Sequence, residues 1–224
     1  MARQEYQTRL QELRNDILYM SELVAEQLRT GLDALDEKDE RLARKVIEGD
    51  DEINSLYLDL ESDCIGLIAL QQPVAGDLRF IASSFKIITD LERIGDLATN
   101  LAGYALDAER EAYPEVDIRQ IGDATVEMIE QAMEAYANED TETCYAIAER
   151  DDEIDAMCQA ASETVVRSLL ETDGFEEEAA VEQAFQDVSR LFLTIRDLER
   201  VGDHAVNIAA RTLYMAEQDD ELLY

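Results

Sequence analysis

Apolar and small residues recur along this chain at alternating spacings of three and four, the period of a helix facing a bundle seam. Between residues 81 and 105 the series is Ile81, Ser84, Ile88, Leu91, Gly95, Ala98, Ala102 and Ala105. A second series, Val188, Leu191, Ile195, Leu198, Gly202, Ala205 and Ala209, repeats it 107 residues later. From the glycine onward both seams carry only Gly and Ala, so a neighbouring helix can approach closely. A further stripe, Leu42, Val46, Gly49, Ile53, Leu56 and Leu60, has its counterpart in Ile147, Ile154 and Met157. The patterning predicts six helices, near 5–36, 39–70, 75–110, 116–137, 140–171 and 178–217. The segments "DEKD" (36–39) and "NED" (138–140) supply polar turn and N-cap residues between them. "QQPVAGD" and "TDGFEEE" place Pro and Gly between the second and third helix of each set, and "YPEVD" (113–117) joins the sets with Pro114 at a helix start.

The two sets are copies. "KVIEGDDEINSL" (45–56) aligns with "AIAERDDEIDAM" (146–157) at an offset of 101. "DLERIGD" (90–96) aligns with "DLERVGD" (197–203) at 107, so the second copy carries six extra residues between its second and third helices. Repetition at this scale decides the architecture. An all-α protein is expected, built from two tandem three-helix bundles over residues 1–112 and 113–224. The repeat keeps Gly95 and Gly202 inside uninterrupted helix, where glycine costs about 1 kcal/mol relative to alanine, so a local requirement outweighs propensity.

Charge narrows the partners. Fifty-three acidic residues against nineteen basic ones give a formal charge of −34, and only Lys38, Lys45 and Lys86 are lysines. Such a surface repels itself at low salt, and at about 1 M salt the screening length of roughly 3 Å removes most of that penalty. The composition reads as halophilic, suited to a salty cytoplasm. Nucleic-acid binding needs basic patches, and docking on anionic lipid is opposed by the same charge. The longest charge-free run, Cys64 to Gly76, is thirteen residues, short of the roughly 18 of a membrane span. The first residues, "MARQEYQTRLQELRND", lack the apolar core of a signal peptide. Cys64, Cys144 and Cys158 have no metal-ligand spacing and are expected to be buried free thiols in a reducing cytoplasm.

One position past each seam runs a polar row: Glu92, Asp96 and Asn100 in the first copy, Glu199, Asp203 and Asn207 in the second. Spacing of four puts these side chains on one helix face, about 6 Å apart along the axis. The second helices carry matching rows, Asp50 with Asn54 and Asp151 with Asp155. If second and third helices are neighbours, each bundle gathers three or four oxygen donors, the ligand type of hard or borderline cations such as Mg²⁺, Mn²⁺, Fe and Zn²⁺. A chain this acidic also produces such pairs on solvated faces, and Glu199 has Arg196 available one turn back. Asp90 and Asp197 are assigned to structure, with Arg93 and Arg200 as partners, and His204, which replaces Leu97, reads as a solvated or capping residue. No nucleophilic triad, CxxC pair or phosphate loop is present, so no catalytic residue is assigned.

At "QQPVAGDLRFIASSFKIITDLERIGDLATNLA" and "DLERVGDHAVNIA" the chain resembles the PhoU family of phosphate-uptake regulators over nearly its whole length. The lead-in to the third helix, with Asp77 and Arg79, occurs in the first copy only. The resemblance implies a cytoplasmic, homodimeric negative regulator that acts with the phosphate-specific ABC transporter and, in many bacteria, a sensor histidine kinase. It also implies metal ions held by E(D)-x-x-x-D motifs, matched here by Glu92 with Asp96, Glu199 with Asp203 and Asp151 with Asp155. Asp50 with Asn54 departs from that pattern. Two other readings stay open: a carboxylate-bridged dimetal oxidase or metal store, which would want Glu-x-x-His motifs that the single histidine does not form, and a structural scaffold with solvated acidic rows.

Overall fold

The computed structural model describes residues 2–70, 73–107, 116–171 and 178–223. The described residues form six helices, α1 (Ala2–Glu37), α2 (Glu40–Leu70), α3 (Ala75–Leu106), α4 (Ile118–Asn138), α5 (Thr141–Glu171) and α6 (Glu178–Glu217), followed by one short 3₁₀ turn (Glu221–Leu223). The six expected helices are all present, and the bounds differ from expectation by a few residues. Residues 108–115, including the 112/113 boundary and Pro114, lie outside the described residues, as do residues 172–177 of the longer second connection.

Equivalent turns are built by equivalent residues. Lys38 and Glu139 both take left-handed backbone, with φ of 55°, and so end α1 and α4. The next residue then caps the following helix. Asp39 Oδ1 accepts from the Arg41 and Leu42 amides at 2.8 and 3.3 Å, and Asp140 Oδ1 accepts from Glu142 and Thr143 at 3.2 Å each. Each cap satisfies amides that the helix itself leaves unpaired. Asp117, capping Gln120 at 2.9 Å, does the same for α4.

Within each copy the three helices pack together, and between copies α3 lies against α6 and α1 against α4. One apolar core therefore runs through all six helices, with Ile17, Leu60, Leu91, Ile129, Ile154 and Leu198 among its buried members. Every seam residue of α3 named above is buried, Ser84 included. Ser84 shares a 2.9 Å hydrogen bond with the Tyr136 hydroxyl of α4, which satisfies both buried groups. The small part of the seam does admit a neighbour: a Cβ on Gly31 of α1 would lie 3.1 Å from the Ala98 carbonyl oxygen. Gly122 of α4 is filled over by Leu32 of α1, whose Cδ1 would lie 2.8 Å from an added Cβ.

Candidate metal centre

α2 packs on α3 and α5 packs on α6, so each pair of rows faces one groove. In the first copy the half-buried Glu92 and exposed Asp96 of α3 lie near Asp50 of α2. Burial and the Asp96 and Asp50 charges push the Glu92 carboxyl up, while Arg93 and His204 oppose that. Burial and Asp50 push Asp96 up, and Arg200 opposes it. Asp50 is held by the protein itself. Asn54 donates to its Oδ2 at 2.8 Å, and Thr99 Oγ1 lies 3.3 Å from its Oδ1. The Gln27 amide of α1 stands behind Thr99 at 3.5 Å and donates to the Val46 carbonyl at 3.0 Å.

The second copy has the same frame with other side chains. Asp151 is half-buried, whereas Asp155, Glu199 and Asp203 are exposed. Asp151 Oδ1 is buried without a hydrogen-bond partner. Burial, followed by the charges of Asp155, Asp203, Asp152 and Glu199, pushes its carboxyl up to about 6. Burial and neighbouring carboxylates raise Asp155 and Glu199 too. An unpaired buried charge is costly, so this oxygen points to a missing positive partner. Four carboxylates at such spacing repel one another, and among the described residues no three His, Cys, Asp or Glu side chains converge closely enough to share an ion as they stand. The donors are of the chemical type that hard cations take, and Asp151 Oδ1 is orphaned among them, but an ion would be shared only if the exposed side chains turned inward.

The repeated glycines each face a side-chain oxygen that lacks a donor. A Cβ on Gly202 would sit 2.8 Å from Asp151 Oδ1, so glycine is what lets that carboxylate lie against α6. A Cβ on Gly95 would sit 3.5 Å from Gln27 Oε1, also unpartnered, and 3.4 Å from Ile53 Cγ2.

Several assignments from sequence need correction. His204 is neither solvated nor capping: it is 7 % exposed, and its Nδ1 lies 2.9 Å from Asp90 Oδ1. Asn207 also donates to Asp90 Oδ1, at 3.3 Å, so Asp90 is partnered from α6 rather than by Arg93. Reciprocally, Asp197 of α6, fully buried, accepts from Tyr104 at 2.8 Å and Asn100 at 3.4 Å, both on α3. The Arg200 pairing is present at 3.9 Å, but Arg196 binds Asp197 more closely, at 2.8 Å, rather than Glu199. Asn100 and Asn207 thus leave the carboxylate rows and brace the two bundles. Both crosses, 90 with 207 and 100 with 197, share one antiparallel register whose midpoints are Gly95 and Gly202. Thr99, Gln27 and Tyr104 belong to no motif in the sequence. The one available signal was that each row ends in Asn while each heptapeptide begins with Asp.

Comparison with known proteins places this arrangement. The family profile described as PhoU domain matches twice, over residues 17–105 and 118–212. The chain belongs to the PhoU family. It is 33 % identical over 220 residues to the Pseudomonas aeruginosa protein named phosphate-specific transport system accessory protein PhoU homolog, spanning 97 % of this chain and 87 % of that one. A Methanothermobacter thermautotrophicus PhoU homolog is 35 % identical, covering 94 % of this chain and 93 % of the relative. The crystal structure of PhoU from Pseudomonas aeruginosa superposes with a TM-score of 0.87 at 32 % identity, covering 96 % of this chain and all of the other. That of Streptococcus pneumoniae PhoU gives 0.85 at 27 %, covering 96 % and 98 %.

Proposed function

We propose that this PhoU-family chain is an accessory protein of phosphate transport that restrains phosphate uptake when phosphate is plentiful. The observation that carries the reading is the double family match together with relatives named for that system at 30 % identity and above over nearly the whole chain. The protein acts as an adaptor: it binds one state of its partner better than another and so biases that partner. The partner is the cytoplasmic machinery of the phosphate-specific ABC transporter, with a sensor histidine kinase as a second target and a homodimer as the working form. A cytoplasmic location agrees with the absence, among the described residues, of a helix long and apolar enough to cross a membrane. Metal ions held by Asp50, Glu92 and Asp96 and by Asp151, Asp155, Glu199 and Asp203 would neutralise the repelling carboxylates and stiffen each groove; Fe, Zn²⁺, Mg²⁺ and Mn²⁺ are the candidates.

Deleting the gene tests the regulatory reading: phosphate uptake should be derepressed in phosphate-rich medium, and unchanged uptake overturns it. Metal content of purified protein, compared with a Glu92→Ala, Asp96→Ala, Asp151→Ala variant, tests the metal reading. Oxygen consumption with ferrous iron would instead favour the oxidase alternative.

A further inference from the structure

We propose that the α1–α2 cleft of the first copy receives an arginine side chain from a partner protein, which, resting on the adaptor reading, is one contact by which the chain grips its partner.

The second copy shows what such a cleft holds. Arg150 of α5 lies between two carboxylates, with its Nη2 3.3 Å from Glu127 Oε2 of α4 and its Nη1 3.6 Å from Glu153 Oε2 of its own helix. At the offset of 101 both carboxylates recur in the first copy, as Glu26 of α1 and Glu52 of α2, but Gly49 stands in place of Arg150. Among the described residues neither Glu26 nor Glu52 is in an ion pair. Both line a cavity of about 110 Å³ together with Leu23, Gln27, Lys45 and Gly49. At roughly 30 Å³ for each water-sized group, that space suits the four heavy atoms of a guanidinium and is too small for a whole free amino acid.

The chain itself does not require Gly49. A Cβ there would meet nothing within 4 Å, and glycine is a poor residue for a helix interior. What glycine does is leave open the place that Arg150 fills in the other copy. Gln27, only 8 % exposed, has an amide oxygen without a donor, where the second copy has Met128. The first cleft thus combines two unpaired carboxylates, an unsatisfied amide acceptor and the apolar wall of Leu23. Planar, weakly hydrated guanidinium with its five donors matches that set better than a compact, strongly hydrated ammonium does. Lys45 lines the cavity yet pairs with neither carboxylate. The formal charge of −34 draws a cationic partner toward this surface.

The test is an NMR titration with N-acetyl-arginine amide at about 1 M NaCl, where a screening length of roughly 3 Å suppresses diffuse cation uptake. Saturable amide shifts are expected around Gln27 and Gly49 and not around Arg150, with the lysine counterpart and free arginine both binding more weakly. Glu26→Gln and Glu52→Gln should each weaken the arginine probe about two- to fivefold, the range of partly exposed ion pairs. Lys45→Gln, which removes a competing cation, should tighten it. Gly49→Arg, which rebuilds the arrangement of the second copy, should abolish binding without lowering Tm. In the cell that folded variant should derepress phosphate uptake. Equal binding of the lysine probe, tighter binding of free arginine, or unchanged binding by the Gly49→Arg chain overturns the site. Normal repression by the folded Gly49→Arg chain overturns its use in docking, whereas unchanged uptake on gene deletion overturns the adaptor reading and leaves the titration standing.

Discussion

Replacing Gly202 by Ala should make the metal-free protein more stable and the metal-bound protein less stable than the native chain. Alanine in a helix interior is worth about 1 kcal/mol over glycine. The added Cβ meets Asp151 Oδ1 at 2.8 Å and Ile154 Cγ2 at an ordinary 3.8 Å. The tight contact is with the end of a side chain whose last torsion is soft, so the carboxylate swings aside at little cost. A gain of about 1 kcal/mol corresponds to roughly 2–4 °C in Tm for a chain of this size. The swing removes a pre-placed ligand, and disturbing the support of a metal site lowers affinity about 10- to 100-fold. At a metal concentration of about 100 Kd the native chain gains about 2.7 kcal/mol from binding, and the variant only about 0.4–1.4. Even with its helix gain, the variant then falls below the native protein. Urea melts in EDTA and in excess Mn²⁺ should therefore show the order of the two proteins reversing. Gly95→Ala is the control: its Cβ meets Ile53 at 3.4 Å and no carboxylate, so its modest gain should persist in both conditions. A Gly202→Ala protein that is destabilised in EDTA, or that keeps the native response to Mn²⁺, refutes the reasoning.

Gly122→Ala should instead cost about 1–3 kcal/mol through overpacking, because Leu32, only 2 % exposed, fills the space the new methyl needs. In a Leu32→Ala background the same change should turn stabilising, a sign reversal measurable by a double-mutant cycle of urea melts. In EDTA, stability should rise as pH falls from 7 toward about 5. The Asp151 carboxyl, raised to about 6, binds its proton more tightly folded than unfolded, and Asp155, Glu199, Glu92 and Asp96 shift the same way. After allowance for screening of the half-exposed group, Asp151 contributes about 1–2 kcal/mol, which Asp151→Asn should abolish. At lower pH the trend should turn, because Asp39 and Asp140, held below their ordinary range by hydrogen bonds to Arg41 and Thr143, lose their cap interactions on protonation. Asp197→Ala should cost about 2–3 kcal/mol by stranding Tyr104, Asn100 and Arg196. Dialysis of the native chain from about 1 M to 0.01 M salt, where the screening length grows from roughly 3 to 30 Å, should lower its Tm steeply.

What the sequence made legible is what a local period can carry. Helix bounds, the buried seam of α3 and the rows beside it all follow from residues three and four apart, and the repeat supplied the second set. The caps at Asp39 and Asp140 were readable for the same reason. What stayed hidden depends on how helices from different copies cross. The partners of Asp90 and Asp197 lie about a hundred residues away and are fixed by the α3–α6 register, so arginines three residues along looked adequate. His204 looked like a solvated or capping residue because the other copy has Leu97 there, yet its ring turns to the opposite helix. Gly31 and Gly122 carry no local signal, since their need for space arises from Ala98 and Leu32, far along the chain.

The conserved spelling of the two heptapeptides separates into two demands. Asp90 and Asp197 are needed for the brace: each is buried against the other copy's helix and takes its hydrogen bonds from Asn207 and His204 or from Asn100 and Tyr104. The glycines answer a different demand. At the centre of that brace an oxygen from a neighbouring helix must fit against the helix backbone, and the fitting oxygen differs between copies, a neutral amide from α1 at Gly95 and a carboxylate from α5 at Gly202. A duplicated unit can therefore keep its scaffold while its faces diverge, because the brace and the cleft use different atoms. Asn54 for Asp155 alters the charge a groove presents, and Thr99 for Val206 its hydrogen bonding, without touching the residues that hold the bundles together. α6 carries both the carboxylates of its own groove and the Arg200 cation that opposes Asp96 of the other. Any ion that draws Asp151 closer to α6 thus acts on the one helix to which both grooves are tied.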